Sequence, residues 1–438
     1  MKMEYSVGLD IGTTKIVAIV GIKNEHGRVE LMGVGTSKSL GVRKGIVNNI
    51  DQTINSIKVA IEGAERAAKV PIKKVTVGIA GKHIRSLQHS DYIMRENPDE
   101  IIKEKDIEAL KKQVEKLVML PGEEIIHVLP QEYKVDTEDE ILEPIGMHGA
   151  RLEAKFHVVV GQMSAIKNIV RCVKEAGLEM EALTLEPLAS AEAVLDQEEK
   201  EAGVAIVDIG GGTTDIAIFK DNIIRHTCVI PYGGGVITND IKESCTIIEK
   251  HAEDLKIKYG SAVPDMEKEN TFIRIPGLHG RPDKKISLKD LAKTINARVE
   301  EILEMVNTEL KAYGAYEQRK KLIAGIVLTG GGSNLKNLRQ LVNYTTQLES
   351  RIGLANQYIA NDREQVLKGA EFATAIGLLM ESLKIKEKEE ESKPVITNDP
   401  EGEPEPEPAP ESSKLPLLQR WLRNFEKMLN DSEDDDKN

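Results

Sequence analysis

The chain has 438 residues, 40% of them hydrophobic, and a net charge of −13; that is enough apolar material for more than one core and predicts two or more domains. The acidic balance argues against nucleic acid as the main partner. The longest apolar stretches, near residues 323–329 and 373–380, fall far short of the ~18 residues needed to span a bilayer, and the first residues run directly into a strand pattern, so a cytosolic protein is expected. Cys172, Cys228 and Cys245 lack disulfide-framework and Cys-x-x-Cys spacing, which predicts reduced, buried thiols, and the nine histidines form no ligand pattern.

Strand and helix patterns alternate along most of the chain, which predicts an α/β architecture. Apolar alternation predicts strands at residues 5–9 and 16–20, enclosing Asp10, Gly12, Thr13, Thr14 and Lys15 in a hairpin turn. Further strands are expected at 29–40 and 45–47, then a helix over 50–68 ending before Pro71, and a buried strand over 74–80. Between 84 and 162 the pattern changes to strand (84–95), charged amphipathic helix (104–119), strand (125–135), acidic loop and strand (155–160), which suggests a small inserted domain. A helix over 164–176 restores the main body. Residues 185–191 open another, with Pro187 in its first turn and small Ala and Ser residues suited to close helix packing. The scheme then repeats: strands at 204–207 and 216–219 enclose Asp208, Gly210, Gly211, Gly212, Thr213 and Thr214. A helical insertion over 233–314 is predicted as a helix (238–258), a turn-rich stretch (276–282) and a long helix (287–313). A buried strand, 326–329, ends in Gly330, Gly331, Gly332 and Ser333.

The two acid–glycine–hydroxyl turns sit between strands, whereas P-loop and Rossmann phosphate sites join a strand to a helix, so those two folds are disfavoured. Glycines let backbone N–H groups approach an anion closely; the four threonine hydroxyls add donors and Lys15 a positive charge. Asp10 and Asp208, just ahead of the turns, would face phosphates only with a hydrated Mg²⁺ between the like charges. The plainer alternative is that the glycines simply make tight turns. The third glycine run suits backbone lying flat against a purine base; a strand-to-helix turn with Ser333 as N-cap is equally compatible.

Residues 386–414 are acidic, proline-rich and almost without large apolar groups, the composition of a disordered linker. Residues 386–438 carry −8 of the net charge. Within 415–430, Leu417, Leu418, Trp421, Leu422, Phe425, Met428 and Leu429 fall on one helical face, with Arg420, Arg423, Asn424 and Lys427 on the other. This reads as an interfacial helix binding membrane lipid, a helix docked on its own core being the alternative. Burial of that face contributes on the order of 5–10 kcal/mol before the cost of ordering. The acidic residues 431–438 lie next to it, so attraction to lipid should be mainly apolar.

Asp10-Ile-Gly-Thr-Thr, Asp208-Ile-Gly-Gly-Gly-Thr-Thr-Asp and Thr329-Gly-Gly-Gly-Ser, in this order and spacing, resemble the two phosphate loops and the adenosine loop of the actin/Hsp70/sugar-kinase superfamily. Within it, residues 5–385 and the tail resemble the FtsA family of bacterial cell-division proteins. The resemblance implies an actin-like, two-lobed, duplicated ribonuclease-H-like α/β fold with ATP and Mg²⁺ between the lobes. The first-lobe core would span 1–83, 163–198 and 360–385, with a small α+β insertion at 84–162. The second-lobe core would span 199–232 and 315–359, with its insertion at 233–314. By the same resemblance Asp10 and Asp208 would hold magnesium through water, and the two glycine turns would hold phosphates. Gly330, Gly331, Gly332 and Ser333 would lie under adenine. Glu253 and Lys256, within His251-Ala-Glu-Asp-Leu-Lys, match the family's nucleotide-contacting pattern. Glu186 matches the position that orients an attacking water, capping of its helix being an equal alternative, so at most a slow ATPase is implied. Implied partners are further copies of the chain in a filament, membrane lipid, other division proteins and the FtsZ C-terminal peptide, the last near Lys284, Arg298 and Glu301. Implied localisation is the cytoplasmic face of the inner membrane at the division site. A sugar or small-molecule kinase, or a PilM-type pilus-assembly adaptor, stands as the alternative on the same fold.

Overall fold

The computed structural model describes residues 5–277, 282–361 and 369–391. Strands β1 (Ser6–Ile11) and β2 (Lys15–Lys23) form an antiparallel hairpin, extended by β3 (Val29–Lys38). After the short pair β4 (Val42–Arg43) and β5 (Ile46–Val47), helix α1 (Ile50–Ala68) starts at Asn49, whose side chain accepts from the Gln52 amide, and leads to β6 (Lys74–Ile79). The inserted segment comprises β7 (Ile84–Met94), α2 (Glu104–Val114), β8 (Glu123–Val135), β9 (Glu138–Ile141) and β10 (Arg151–Gln162). The chain returns through α3 (Met163–Glu175), β11 (Glu179–Leu185), α4 (Glu186–Val194) and α5 (Gln197–Ala202). A second hairpin, β12 (Val204–Ile209) and β13 (Thr214–Lys220), is extended by β14 (Ile223–Ile230). Then come α6 (Gly234–Cys245), α7 (Glu249–Tyr259), β15 (Phe272–Ile275), β16 (Lys284–Ser287) and α8 (Leu288–Tyr313). β17 (Gly325–Thr329), α9 (Leu338–Thr346), β18 (Ser350–Ile352), β19 (Ile359–Asn361) and α10 (Ala373–Glu391) complete the described chain.

The two main sheets repeat one scheme. In the order β11-β6-β1-β2-β3-β19 the hairpin has an antiparallel strand on one side and the parallel β6 on the other; in β14-β13-β12-β17-β18 the same relation holds, with β17 as the parallel neighbour. Both sheets are covered on both faces, which is why their central strands β2, β12 and β17 read as near-continuous apolar runs. Along β2, Ile16, Ala18 and Val20 enter a core with α1 and α3, while Val17 and Ile19 enter a central core. Along β12, Ala205, Val207 and Ile209 pack toward α6 and α8, while Val204 and Ile206 enter that same central core. Ala191, Ala193 and Val194 of α4 and Ala373, Ala375, Ile376 and Leu379 of α10 fill it. These two helices therefore form a layer between the sheets. They approach closely: a Cβ on Gly377 would lie 1.8 Å from the Ala189 carbonyl oxygen.

The inserted segment forms its own sheet, β7-β10-β8-β9, with a core that includes Ile102, Leu110, Val114 and Phe156. It hangs from the first sheet yet reaches the second. Gln131 donates to the Ile224 and Arg225 carbonyls (2.6 and 3.2 Å), Ser86 donates to the Thr227 carbonyl (3.0 Å), and His157 is hydrogen-bonded to the Thr227 hydroxyl (2.8 Å). Arg225 pairs with Glu132 at 2.6 Å. These bonds cover the exposed edge that β14 would otherwise present.

Several sequence expectations are revised. The helix expected over 238–258 is two helices, because the Cys-Thr-Ile-Ile run is rich in β-branched residues and Thr246 adopts φ 50°, ending α6 with its amide on Glu243. The turn-rich stretch near 276–282 is flanked by the β15–β16 hairpin. The acidic loop after β8 carries the edge strand β9, and β11 and β14, whose Glu, Met, Arg and His residues obscure alternation, are additional strands. α10 continues to Glu391, past the boundary expected at 385. Its Lys and Glu residues favour helix, Glu387 pairs with Lys23 at 2.6 Å, and Lys386 bonds the Tyr5 carbonyl. Replacing Gly377 with Ala should destabilise the protein by about 1–3 kcal/mol, because the added methyl meets backbone rather than a movable side chain; urea unfolding with an unchanged midpoint would refute this packing.

Candidate functional site

Period-two alternation aims the key acids. Val7, Leu9 and Ile11 point to the outer core of the first lobe, so Asp10 points to the central layer. Ala205, Val207 and Ile209 do the same in the second lobe and turn Asp208 inward. Each acid stands at the end of its hairpin, and the two turns meet across the cleft. A Cβ on Gly211 would lie 1.9 Å from Thr14 Oγ1, and one on Gly212 would lie 2.5 Å from Thr13 Oγ1. The turn at Lys44 and Gly45, with φ 50° and 72°, closes against the same place: the Gly45 amide donates to Thr13 Oγ1 at 3.2 Å. The start of α6 is tied to the second turn, the Gly234 and Gly235 amides donating to the Gly210 and Gly211 carbonyls (2.8 and 2.7 Å). Lys256 reaches back to the Gly234 carbonyl (2.9 Å) and pairs with Glu253 (2.8 Å), both around the Thr238 hydroxyl. Thr214, buried, donates to the Tyr232 carbonyl at 2.8 Å.

Four carboxyl groups share the cleft. Asp10, Asp208 and Asp215 are buried, and Glu186, the first residue of α4, is half-buried. Asp215 lies directly opposite Asp208 in the β12–β13 register. Thr213 donates to one of its oxygens at 2.9 Å, and the other is buried without a partner among the described residues. Burial pushes Asp10 up to about 7, Asp208 adding to the rise and Lys15 opposing it. Burial and Asp208 push Asp215 up to about 8, and burial, Asp10, Asp215 and Asp208 together push Glu186 well above the carboxylate range. Asp208 also rises through burial, restrained by two hydroxyls: Ser190 Oγ at 2.7 Å and Thr374 Oγ1 at 3.1 Å both donate to its Oδ2. Glu186 is not the N-cap of α4: that position is Leu185, which makes no side-chain capping bond. The Leu185 amide instead donates to His127 of the insertion at 3.0 Å; burial lowers that histidine to about 4, which leaves its ring neutral and able to accept.

The third loop departs from expectation. Gly330 (φ 80°) and Gly332 are demanded by the protein itself, since Cβ atoms there would lie 2.2 Å from Asp208 Oδ1 and 2.4 Å from Ile209 Cγ2. Gly331 is the exposed member. Ser333 is no N-cap: it sits in a 3-10 turn (Gly331–Asn334) and donates to the Gly330 carbonyl at 2.7 Å, while α9 begins later, after Asn337. The hydroxyl is spent on closing the glycine turn.

Arg298 and Glu301 come together on α8, with Arg298 bridging to Asp240 of α6 at 2.5 Å. They line an open groove of about 390 Å³ with Glu243, Ser244 and Thr294. Lys284 lies at the C-terminal end of α6, donating to the Cys245 and Thr246 carbonyls (3.1 and 2.6 Å). Leu417, Leu418, Trp421, Leu422, Phe425, Met428 and Leu429 lie outside the described residues. Among the described residues no helix is long and apolar enough to cross a membrane. Residues absent from the sequence expectation also join the cleft: Asp215, Ser190, Thr374, Lys44, and Phe372, whose ring lies 3.7 Å below Lys15 Nζ. The run Gly233-Gly234-Gly235 was a legible signal for a fourth backbone contact; the hydroxyls on α4 and α10 had none.

A family model described as cell division protein FtsA matches residues 205–377, and one described as an SHS2 domain inserted in FtsA matches residues 81–160. The cell division protein FtsA of Pseudomonas aeruginosa is 39% identical over 95% of this chain and 97% of its own. That of Neisseria meningitidis serogroup B is 37% identical over 97% and 99%. The chain belongs to the FtsA family. It is thus an actin-like cell division protein, which decides against the kinase and pilus-adaptor alternatives. In fold it resembles the PilM–PilN type IV pilus biogenesis complex (TM-score 0.61, 17% identity, covering 86% of this chain and 98% of that one) and an MreB protein of Spiroplasma citri bound to ADP (0.53, 17%, 89% and 99%). The SHS2 match coincides with the β7–β10 insertion, and the FtsA match contains Asp208, Asp215 and Thr374.

The acid cluster makes the stability of this FtsA-family protein pH-dependent when no cation is present. Asp10 ionises near 3.8 when unfolded and near 7 when folded, so between these values the folded state holds the extra proton and stability falls as pH rises. Asp215, at about 8 when folded, extends the window upward. In EDTA, the thermal midpoint of wild type should fall from about pH 5 to pH 8 more steeply than that of Asp10→Asn/Asp215→Asn. Equal slopes would refute the shifts.

Proposed function

We propose that this chain binds ATP with Mg²⁺ between its lobes, polymerises on the cytoplasmic face of the inner membrane at the division site, and tethers FtsZ there. The observation that carries the reading is the pair Asp10 and Asp208, two buried, mutually repelling carboxylates placed beside two facing glycine–threonine turns. A cation fits this set: it removes the repulsion and satisfies the Asp215 oxygen that has no partner among the described residues. Two aspartates from opposite lobes suit a hydrated Mg²⁺ held through its waters. When bound, the ion neutralises charge on the phosphates.

The protein's own groups take distinct parts. The turn at Gly12, Thr13 and Thr14 offers backbone amides and hydroxyls to phosphate oxygens, and the turn at Gly210, Gly211, Gly212 and Thr213 offers backbone amides beyond Gly210, whose own amide closes the turn on the Thr213 carbonyl. Lys15 adds charge, and Glu253 with Lys256 borders the second turn. Gly331 is the exposed glycine of the third loop and the one open to a base. Glu186, beside Asp10, is assigned the orientation of a water, its proton released once neighbouring acids are screened; at most slow turnover is expected. The α6–α8 groove, with Arg298, Glu301 and nearby Lys284, is assigned to the FtsZ C-terminal peptide, and the apolar face from Leu417 to Leu429 to lipid.

Two experiments test this. Asp208→Ala should abolish the gain in affinity for a fluorescent ATP analogue on adding Mg²⁺; a retained gain contradicts the ion assignment. Full-length chain should float with lipid vesicles and carry FtsZ with it, whereas Trp421→Glu should not float and Arg298→Glu should float but bind FtsZ about tenfold more weakly. Undiminished FtsZ recruitment by Trp421→Glu contradicts the tether.

A further inference from the structure

Asp208 belongs to the second sheet, but both hydroxyls that hold it come from the helix layer between the sheets. Ser190 on α4 is wholly buried, and its Oγ lies 3.0 Å from Thr374 Oγ1 on α10; both donate to the same oxygen, Asp208 Oδ2. The other oxygen is pressed toward Gly330. The alternation of its strand turns Asp208 inward, and this pair of donors then fixes the orientation of its carboxylate.

The segment that opens α10 touches the first turn, the acid ahead of the second and the third loop. The Ala370 carbonyl accepts from the Thr329 hydroxyl (3.1 Å) and the Gly330 amide (3.2 Å), and Glu371 accepts from Asn334 (2.9 Å), which ties it to the third loop. Phe372 lies under Lys15 of the first turn, and Thr374 holds Asp208 at the second. Behind these contacts α10 has no slack. A Cβ on Gly8 of β1 would lie 2.6 Å from both the Ala375 carbonyl oxygen and the Leu379 amide, and Gly377 is locked on Ala189. A small change in how Asp208 or Lys15 is engaged must therefore be felt by the first turns of α10, the helix from which the tail continues.

We propose that Ser190 and Thr374 are positioning residues for Asp208, and that Thr374 makes α10 the element that registers a metal–nucleotide in the cleft. This rests on the ATP–Mg²⁺ reading above. Ser190 sets the aim only; Thr374 sets the aim and carries it to the helix.

The test uses full-length protein, a fluorescent ATP analogue titrated with Mg²⁺ or with EDTA, and hydrogen exchange of α10 with and without Mg²⁺–ATP. For each variant the readout is the ratio of the two affinities, which a general loosening of the fold, lowering both, leaves unmoved. Wild type should show a large ratio and slowed exchange at residues 375–379. Ser190→Ala and Thr374→Val should each cut the ratio about tenfold or more, and Thr374→Ser should restore it. Protection of residues 375–379 should persist in nucleotide-saturated Ser190→Ala and vanish in Thr374→Val. If Thr374→Val fails to fold, Ser190→Ala still decides the positioning role and Thr374→Ala the protection. A full ratio in Ser190→Ala and Thr374→Val overturns positioning, and wild-type protection in Thr374→Val or Thr374→Ala overturns the coupling. A wild type whose affinity is indifferent to Mg²⁺ overturns the ATP–Mg²⁺ reading, and this inference with it.

Discussion

Four carboxyl groups drawn from both halves of the molecule are confined in one desolvated cleft, and their mutual repulsion is the constraint around which the rest is arranged. Asp208 and Asp215 face each other across a strand pair, Asp10 comes from the opposite sheet, and Glu186 starts the helix between them. Like charges placed directly opposite are unfavourable, and burial multiplies the cost. The surroundings offset it only in part, through Lys15, the hydroxyls of Ser190, Thr213 and Thr374, and retained protons.

The layer of α4 and α10 converts this local electrostatic problem into a property of the whole molecule. Its small residues bring the helices close enough to fill the central core, and its polar residues hold an aspartate of the second sheet. The insertion adds a further connection: it bonds the edge strand β14 through Gln131, Ser86 and His157 and the residue before Glu186 through His127. It thus touches both lobes and the start of the catalytic candidate's helix. Insertion, second sheet and the start of α4 are joined by direct hydrogen bonds of ordinary length.

How much was legible in the sequence differs by region. The hairpins, α1 and the inserted segment follow from local periodicity because each carries its pattern within a dozen or so residues. The break between α6 and α7 was hidden inside an apolar run whose β-branched residues disfavour helix only weakly; the left-handed Thr246 cap, with Lys284 on the Cys245 and Thr246 carbonyls, accompanies it in the structure. The third glycine run was read as a surface for a base, yet Gly330 and Gly332 serve contact with Asp208 and Ile209. A glycine declares that something comes close without saying what.

By itself the sequence determined the duplicated hairpins, the acids ahead of their turns and the family to which the chain belongs, because each is written in residues near one another or in order along the chain. Only the tertiary structure decided which hydroxyls hold Asp208, where Asp215 and Phe372 sit, and that the insertion bridges both lobes. Those contacts join residues far apart in sequence, such as Asp208 with Thr374 and Gln131 with Ile224. A serine or threonine on a buried helix has no local mark that separates a helix-packing residue from one aimed at a carboxylate; only the packing of two sheets against one helix layer makes that choice.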